Sequence, residues 1–295
     1  MNFKERLAAQ AARVDKLLEE YLPEESGHQK TIFSAMNYSV RAGGKRLRPI
    51  LMEETYRLCG GTGTEIEPFM AAIEMIHTSS LVHDDLPAMD ADEYRRGKKT
   101  TWVVYGEDMG ILAGDALMIY AFETATKALH WTAYPERVVR AISILAEKTG
   151  IYGMIGGQTV DVELTGKPVP EDKLRFIYAL KTGALLEASM MIGAVLSGAD
   201  DEMVKKAGEV ALLVGMAFQI QDDILDVTST TEELGKPVLS DEKNQKTTYV
   251  TLYGLDAAAQ KVKELSERAV SLMHEIPGEN AFLEELILSL VNRLK

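Results

Sequence analysis

Ser79-Ser-Leu-Val-His-Asp-Asp-Leu-Pro-Ala-Met-Asp-Ala-Asp-Glu-Tyr-Arg-Arg-Gly97 decides how this chain is read. It opens apolar, like the end of a buried helix, then presents Asp84, Asp85 and Asp90, with Arg95 and Arg96 close behind. A second acidic block, Gln219-Ile-Gln-Asp-Asp-Ile-Leu-Asp226, closes another long apolar run. Asp222 and Asp226 are four apart, so they stack on one face of a helix. Two carboxylates about 4 Å apart repel by roughly 4 kcal/mol at an effective dielectric of about 20, so a cation belongs between them. An all-oxygen donor set without histidine or cysteine favours a hard ion, magnesium above all, which also takes phosphate oxygens from a substrate. Arginines beside the carboxylates fit that picture, because guanidinium forks onto phosphate. The expectation is a magnesium-diphosphate site built from two acidic helix ends. Plain solvated helix termini would explain one such block, but explain two less well when each has its own apolar lead-in and basic neighbours.

The rest of the chain is compatible with that chemistry. At 295 residues it can bury a sizeable core, and we expect a single domain spanning 1–295. A net charge of −13 argues against nucleic acid as a partner but not against small anions, since the basic residues are clustered. One cysteine, Cys59, excludes an internal disulfide and suits a reducing cytoplasm. The N-terminus lacks the apolar core of a signal peptide. The most apolar region, Ala184 to Ala199, is broken by Glu187 and reads as too short to span a bilayer, so no transmembrane segment is expected.

Apolar periodicity predicts helices over Asn2–Tyr21, Gln29–Arg41, Ile50–Leu58, Glu65–His83, Asp108–Leu129, Pro135–Thr149, Tyr152–Asp161, Glu171–Leu196, Asp200–Asp226, Asp256–Met273 and Ala281–Leu294. Lys98 to Glu107 reads as a connector, and no strand alternation stands out. The fold class is therefore all-α, with ligands held on facing helices of a bundle core.

These residues resemble the trans-isoprenyl diphosphate synthase (polyprenyl synthetase) family. Leu81-Val-His-Asp-Asp-Leu-Pro-Ala-Met-Asp90 with Arg95-Arg-Gly97 is similar to its first aspartate-rich motif, in the bacterial form with two extra residues. Gln219 to Asp226 is similar to its second. Gly43-Gly-Lys-Arg-Leu-Arg-Pro49, Ile111-Leu-Ala-Gly-Asp-Ala-Leu117, Gly156-Gly-Gln158, Lys181-Thr-Gly-Ala-Leu185, Leu234-Gly-Lys-Pro237 and Asp241 to Tyr249 follow in family order. Each short motif is weak alone, and the ordered set is specific. The chain departs from the family pattern at Ala91 and Tyr94, outside the aspartates.

The resemblance implies an isoprenoid-synthase helical bundle around a deep cavity, usually a homodimer, using three Mg2+ ions. It implies that Asp84, Asp90 and Asp222 hold the metals, with Asp85, Asp223 and Asp226 completing or supporting the shell. Arg95, Lys181, Lys236 and Lys246 would grip the allylic diphosphate. Gly44, Lys45, Arg48, His77 and Arg96 would receive isopentenyl diphosphate. Thr182 and Gln219 would line the reacting carbons. The implied reaction joins isopentenyl diphosphate head-to-tail to dimethylallyl, geranyl or farnesyl diphosphate. Ser79 and Ser80, five and four residues before Asp84, occupy the positions that set product length. A serine rather than an aromatic at 79 leaves the pocket open, so geranylgeranyl diphosphate is the expected major product and farnesyl diphosphate the runner-up.

Three rivals follow from the same residues. A class I terpene cyclase shares the first motif, but its second is usually an Asn/Asp-Ser/Thr-Glu triad, unlike Asp222-Asp-Ile-Leu-Asp226. A di-iron bundle is suggested by Glu74-Met-Ile-His77, but needs a second helical copy, and Glu25-Ser-Gly-His28 contains a glycine. A catalytically silent partner subunit is opposed by the intact acidic motifs.

Overall fold

The computed structural model describes residues 1–130, 132–228 and 247–291. They divide into two compact units, Met1–Glu53 with Thr62–Ile142, and Glu54–Gly61 with Ser143–Lys295.

The first unit is organised on α4 (Glu67–Asp84). Every residue from Pro68 to Ile76 is buried, so this helix is apolar all round rather than amphipathic, as a central core helix must be. It packs against α1 (Phe3–Tyr21), α2 (Lys30–Val40) and above all α6 (Glu107–Thr126). The buried face of α6 is made of small residues, Ala113, Ala121 and Ala125 around Leu117, which lets the helix axes come close. Asn2 and Glu5 form a reciprocal capping box that fixes where α1 begins. α3 (Leu47–Leu58) starts three residues earlier than periodicity suggested.

The connector expected after the first acidic motif holds structure. Tyr94–Arg95 pairs antiparallel with Lys98–Lys99, and a short helix, α5 (Thr101–Tyr105), follows. The two residues between the strands, Arg96 and Gly97, have φ of 52° and 76°. Two positive φ values in a two-residue loop are what a tight hairpin requires. Two-residue strands carry too little alternation to be seen in sequence.

The second unit is built on α11 (Asp201–Thr228), which packs against α10 (Ala184–Ser197) and the helix Leu255–Met273. Leu174, Ile177, Ala217, Ile220, Val262 and Leu265 form part of its core. Helix α8 (Met154–Glu163) lies beside a π-helical segment, Tyr178–Gly183, that joins α9 (Glu171–Ile177) to α10. The helical path from Glu171 to Ser197 is therefore unbroken for 27 residues. This corrects the reading of that stretch as too short: by length and composition it reaches bilayer-spanning size. However, 67% of its most apolar window is buried inside the protein, which accounts for the hydropathy.

Candidate functional site

Both acidic motifs sit at the wrong end of a helix. Asp84 is the last residue of α4 and Asp85 its C-cap; Asp222, Asp223 and Asp226 lie in the last two turns of α11. A helix C-terminus carries partial negative charge, and each carboxylate there costs roughly 0.3–1 kcal/mol at an exposed end. Such placement is stable only with compensating cations, and the structure shows some of them.

In the first unit, Arg95 directs Nε and Nη2 to the same Asp85 oxygen at 2.7 and 2.6 Å. Asp85 is buried, and that burial raises its pKa although Arg95 pulls the other way. The Asp85 carboxylate thus orients Arg95. Asp90 is exposed, and its N–H donates to the Asp84 carbonyl at 2.9 Å, folding the motif into a compact turn.

Basic residues gather around His77 of α4. Arg96 donates to the Gly43 carbonyl, and a Cβ on Gly44 would lie 2.6 Å from Arg96 Nη1, so only glycine at this φ of 150° lets the guanidinium lie flat on the loop. Lys45 is exposed and Arg48 half-buried. Arg48 Nε is buried without a hydrogen-bond partner among the described residues. Burial, opposed by Glu74 and reinforced by Arg96, pushes the Arg48 pKa down to about 10. His77 is held well below its ordinary value, first by burial and then by Arg48, Arg96, Arg46 and Arg95. An imidazole kept neutral by four neighbouring guanidiniums marks a concentrated positive field, which an arriving anion would relieve. Ser79 is wholly buried, its hydroxyl donating to the Ile76 carbonyl at 2.8 Å; the half-buried Ser80 does the same to His77.

In the second unit a cavity of about 250 Å³ is lined by Lys181, Thr182, Gln219, Asp222 and Asp223, together with Asp161 and Tyr178. The Thr182 hydroxyl donates to Gln219 Oε1 at 2.7 Å, which fixes the amide end that faces Thr182. Lys181 and Thr182 lie within the π-helical segment, and Gly157 explains how α8 reaches it. A Cβ on residue 157 would sit 2.3 Å from the Lys181 nitrogen and 2.8 Å from the Leu180 carbonyl carbon, both backbone atoms. Asp223 is buried and accepts from the Tyr178 hydroxyl at 2.6 Å and from the Tyr249 amide at 2.8 Å, so it braces this wall. Asp226 is also buried. Lys236 and Lys246 lie outside the described residues.

Sequence reading missed three participants. Asp161 pairs with Lys181 Nζ. Its signal was its place three residues after Gln158, one helical turn along the face of Gly156-Gly-Gln158. Tyr178 gave no signal beyond lying three residues before Lys181. Arg46 is buried and paired, whereas Lys45 is exposed and Arg48 half-buried. Among the described residues no three carboxylate, imidazole or thiolate groups form a ready metal cage. The donor set nonetheless suits magnesium: hard oxygens at helix C-termini, few per ion, with room for phosphate oxygens.

These features describe an all-α protein whose acidic helix ends and buried cations suit a phosphorylated ligand. The family model for polyprenyl synthetase matches residues 29–277. The geranylgeranyl diphosphate synthase of Cyanophora paradoxa is 45% identical over 245 residues, covering 82% of this chain and 81% of that protein. The farnesyl diphosphate synthase of Geobacillus stearothermophilus is 43% identical over 262 residues, covering 89% and 88%. A crystal structure of Helicobacter pylori geranyltransferase complexed with magnesium and isoprenyl diphosphate superposes with a TM-score of 0.82 at 32% identity, covering 100% of this chain and 98% of that one. The chain belongs to the polyprenyl synthetase family.

Proposed function

We propose that this chain is a short-chain prenyltransferase that joins isopentenyl diphosphate to an allylic diphosphate (dimethylallyl, geranyl or farnesyl), giving farnesyl and geranylgeranyl diphosphates with release of diphosphate. The observation that carries the reading is the second-unit cavity, lined together by Lys181, the Thr182–Gln219 pair and Asp222. In this reading Lys181 serves a leaving diphosphate and the Thr182 oxygen serves a developing positive carbon.

The reaction begins as the allylic C–O bond breaks and its electron pair leaves with diphosphate. Lys181 and Arg95 neutralise charge on the departing group. Asp84, Asp90 and Asp222 would hold magnesium, which when bound would supply Lewis-acid neutralisation of the leaving group's charge. The Thr182 hydroxyl oxygen, with its proton turned to Gln219, aims its lone pairs at the allylic cation. Lys45, Arg48 and Arg96 hold isopentenyl diphosphate, with neutral His77 donating from one ring nitrogen. Its alkene electrons attack the cation, and the new cation loses a proton to the released diphosphate. Apolar helix walls keep water from capturing the cation.

Three magnesium ions, a homodimer and a cytoplasmic setting complete the proposal. Exposed Ile111, Leu112 and Ile119 on α6 support a partner surface. Mass spectrometry of products from isopentenyl diphosphate with each allylic primer, with and without Mg2+, tests the reading. Isopentenyl-dependent, magnesium-dependent chain growth is expected; a cyclic hydrocarbon from one allylic substrate, or no turnover, would overturn it.

A further inference from the structure

We propose that Arg46 is a positioning residue for the isopentenyl diphosphate subsite, holding the Gly43–Leu47 loop so that Lys45 and Arg48 present their charges to the diphosphate; this rests on the prenyl-transfer reading above.

Lys45, Arg46 and Arg48 look equivalent in sequence, and burial separates them. Arg46 is 3% exposed. Its Nε donates to Asp15 Oδ1 at 2.8 Å, its Nη1 to Glu74 Oε1 at 2.7 Å and its Nη2 to the Val40 carbonyl at 2.7 Å. Glu74 is itself 2% exposed. The fork is therefore spent on α1, the end of α2 and α4, its charge is neutralised, and it does not reach a ligand. Only a planar, multiply donating guanidinium makes these three contacts together, and an ammonium does not.

What the fork holds is a strained loop. Gly43 and Gly44 have φ of 82° and 150°, and Arg46 itself has φ of 51°, a conformation that strains a side-chain-bearing residue. Such backbone persists when its surroundings over-determine it. The surroundings here are carbonyls at and just beyond the end of α2: Val40 accepts from Arg46, Arg41 from Lys98 Nζ at 3.0 Å, and Gly43 from Arg96. A helix C-terminus is where cations are favoured, so this end collects three of them. Glu74 lies one turn before His77 on α4, so the Arg46–Glu74 pair also ties the loop to the helix that carries the imidazole.

The test separates positioning from mere stability. Replacing the pair together, Arg46→Met with Glu74→Met, removes both members of the buried ion pair at once, so stability is largely retained. The expected result is a melting temperature close to wild type, a KM for isopentenyl diphosphate raised tenfold or more, and an allylic KM changed less than twofold. Arg46→Lys, which keeps charge but not the fork, raises the same KM. Unchanged KM values in the folded double variant, or both KM values rising together, overturn the proposal. If the double variant does not fold, Asp15→Asn, at the exposed end of the fork, decides: a rise of twofold or more confined to isopentenyl diphosphate supports it, and no rise overturns it. Calorimetric titration of inorganic pyrophosphate without magnesium gives a readout independent of turnover. A wild type that binds pyrophosphate but transfers no prenyl group refutes the activity, while loss of that binding in the double variant still supports the loop role and its retention overturns it.

Discussion

Gly157→Ala tests how the cavity wall is positioned. The added Cβ would lie 2.3 Å from the Lys181 backbone nitrogen, whereas ordinary contact begins near 3.4 Å, so the two segments must part by the difference, 3.4 − 2.3 = 1.1 Å. Neither the nitrogen nor the Leu180 carbonyl carbon at 2.8 Å can rotate away, being main chain. Forcing one methyl into a packed contact costs about 1–3 kcal/mol. For a unit of this size that lowers the melting temperature by very roughly 2–10 °C. The larger effect falls on turnover, because the displaced segment carries Lys181 and Thr182; a misplacement of about 1 Å costs on the order of 100-fold. Circular-dichroism melting and steady-state prenyl transfer measure the two effects. Val262→Ala, a buried truncation elsewhere in the same core, supplies a comparison of similar stability loss without a shifted π segment. Wild-type kcat in a normally melting Gly157→Ala protein would refute the claim that this contact sets the Lys181 geometry.

Ser79→Tyr is expected to shift products toward shorter chains, read by mass spectrometry. Because Ser79 is 0% exposed, it should also lower the melting temperature, and an unchanged product spectrum places the pocket floor elsewhere. His77 is depressed below the usual 6.5 by burial and nearby arginines, so as pH falls through 6.5 the unfolded chain takes up a proton that the folded one refuses. Stability is therefore lost on the acid side: between about pH 7.5 and 5.5 one such histidine costs about 1.4 kcal/mol, and His77→Gln should shrink the measured pH difference in urea unfolding by that amount. A variant with the wild-type pH slope would show that His77 titrates normally. Ala91 has φ of 55°, where asparagine is easier to accommodate than alanine, so Ala91→Asn should raise the melting temperature slightly, by a free energy of up to about 1 kcal/mol. A lower melting temperature would count against that strain.

The resemblance gave Asp85 and Asp223, with Asp226, the part of completing or supporting the metal shell, and nothing local in their sequence says what else they touch. The structure does, since Asp85 is taken up by Arg95 and Asp223 by Tyr178 and the Tyr249 amide. The hairpin at Arg96-Gly97 was invisible for a different reason: its strands are too short to alternate. The helix expected over Glu171–Leu196 is continuous, but its passage through the Lys181 region as a π turn left no mark in the apolar period.

Helix positions, the all-α class and the acidic ends of α4 and α11 were determined by sequence alone, because apolar period and helix-terminal charge are properties of neighbouring residues. Tertiary structure decided which cation in Lys45-Arg-Leu-Arg48 is buried, that Asp161 meets Lys181, and that Gly157 touches main chain. Those outcomes depend on partners about 20 to 31 positions apart in the chain, brought together only when the helices pack. Periodicity tells a residue which face it occupies; what lies opposite that face is settled by folding.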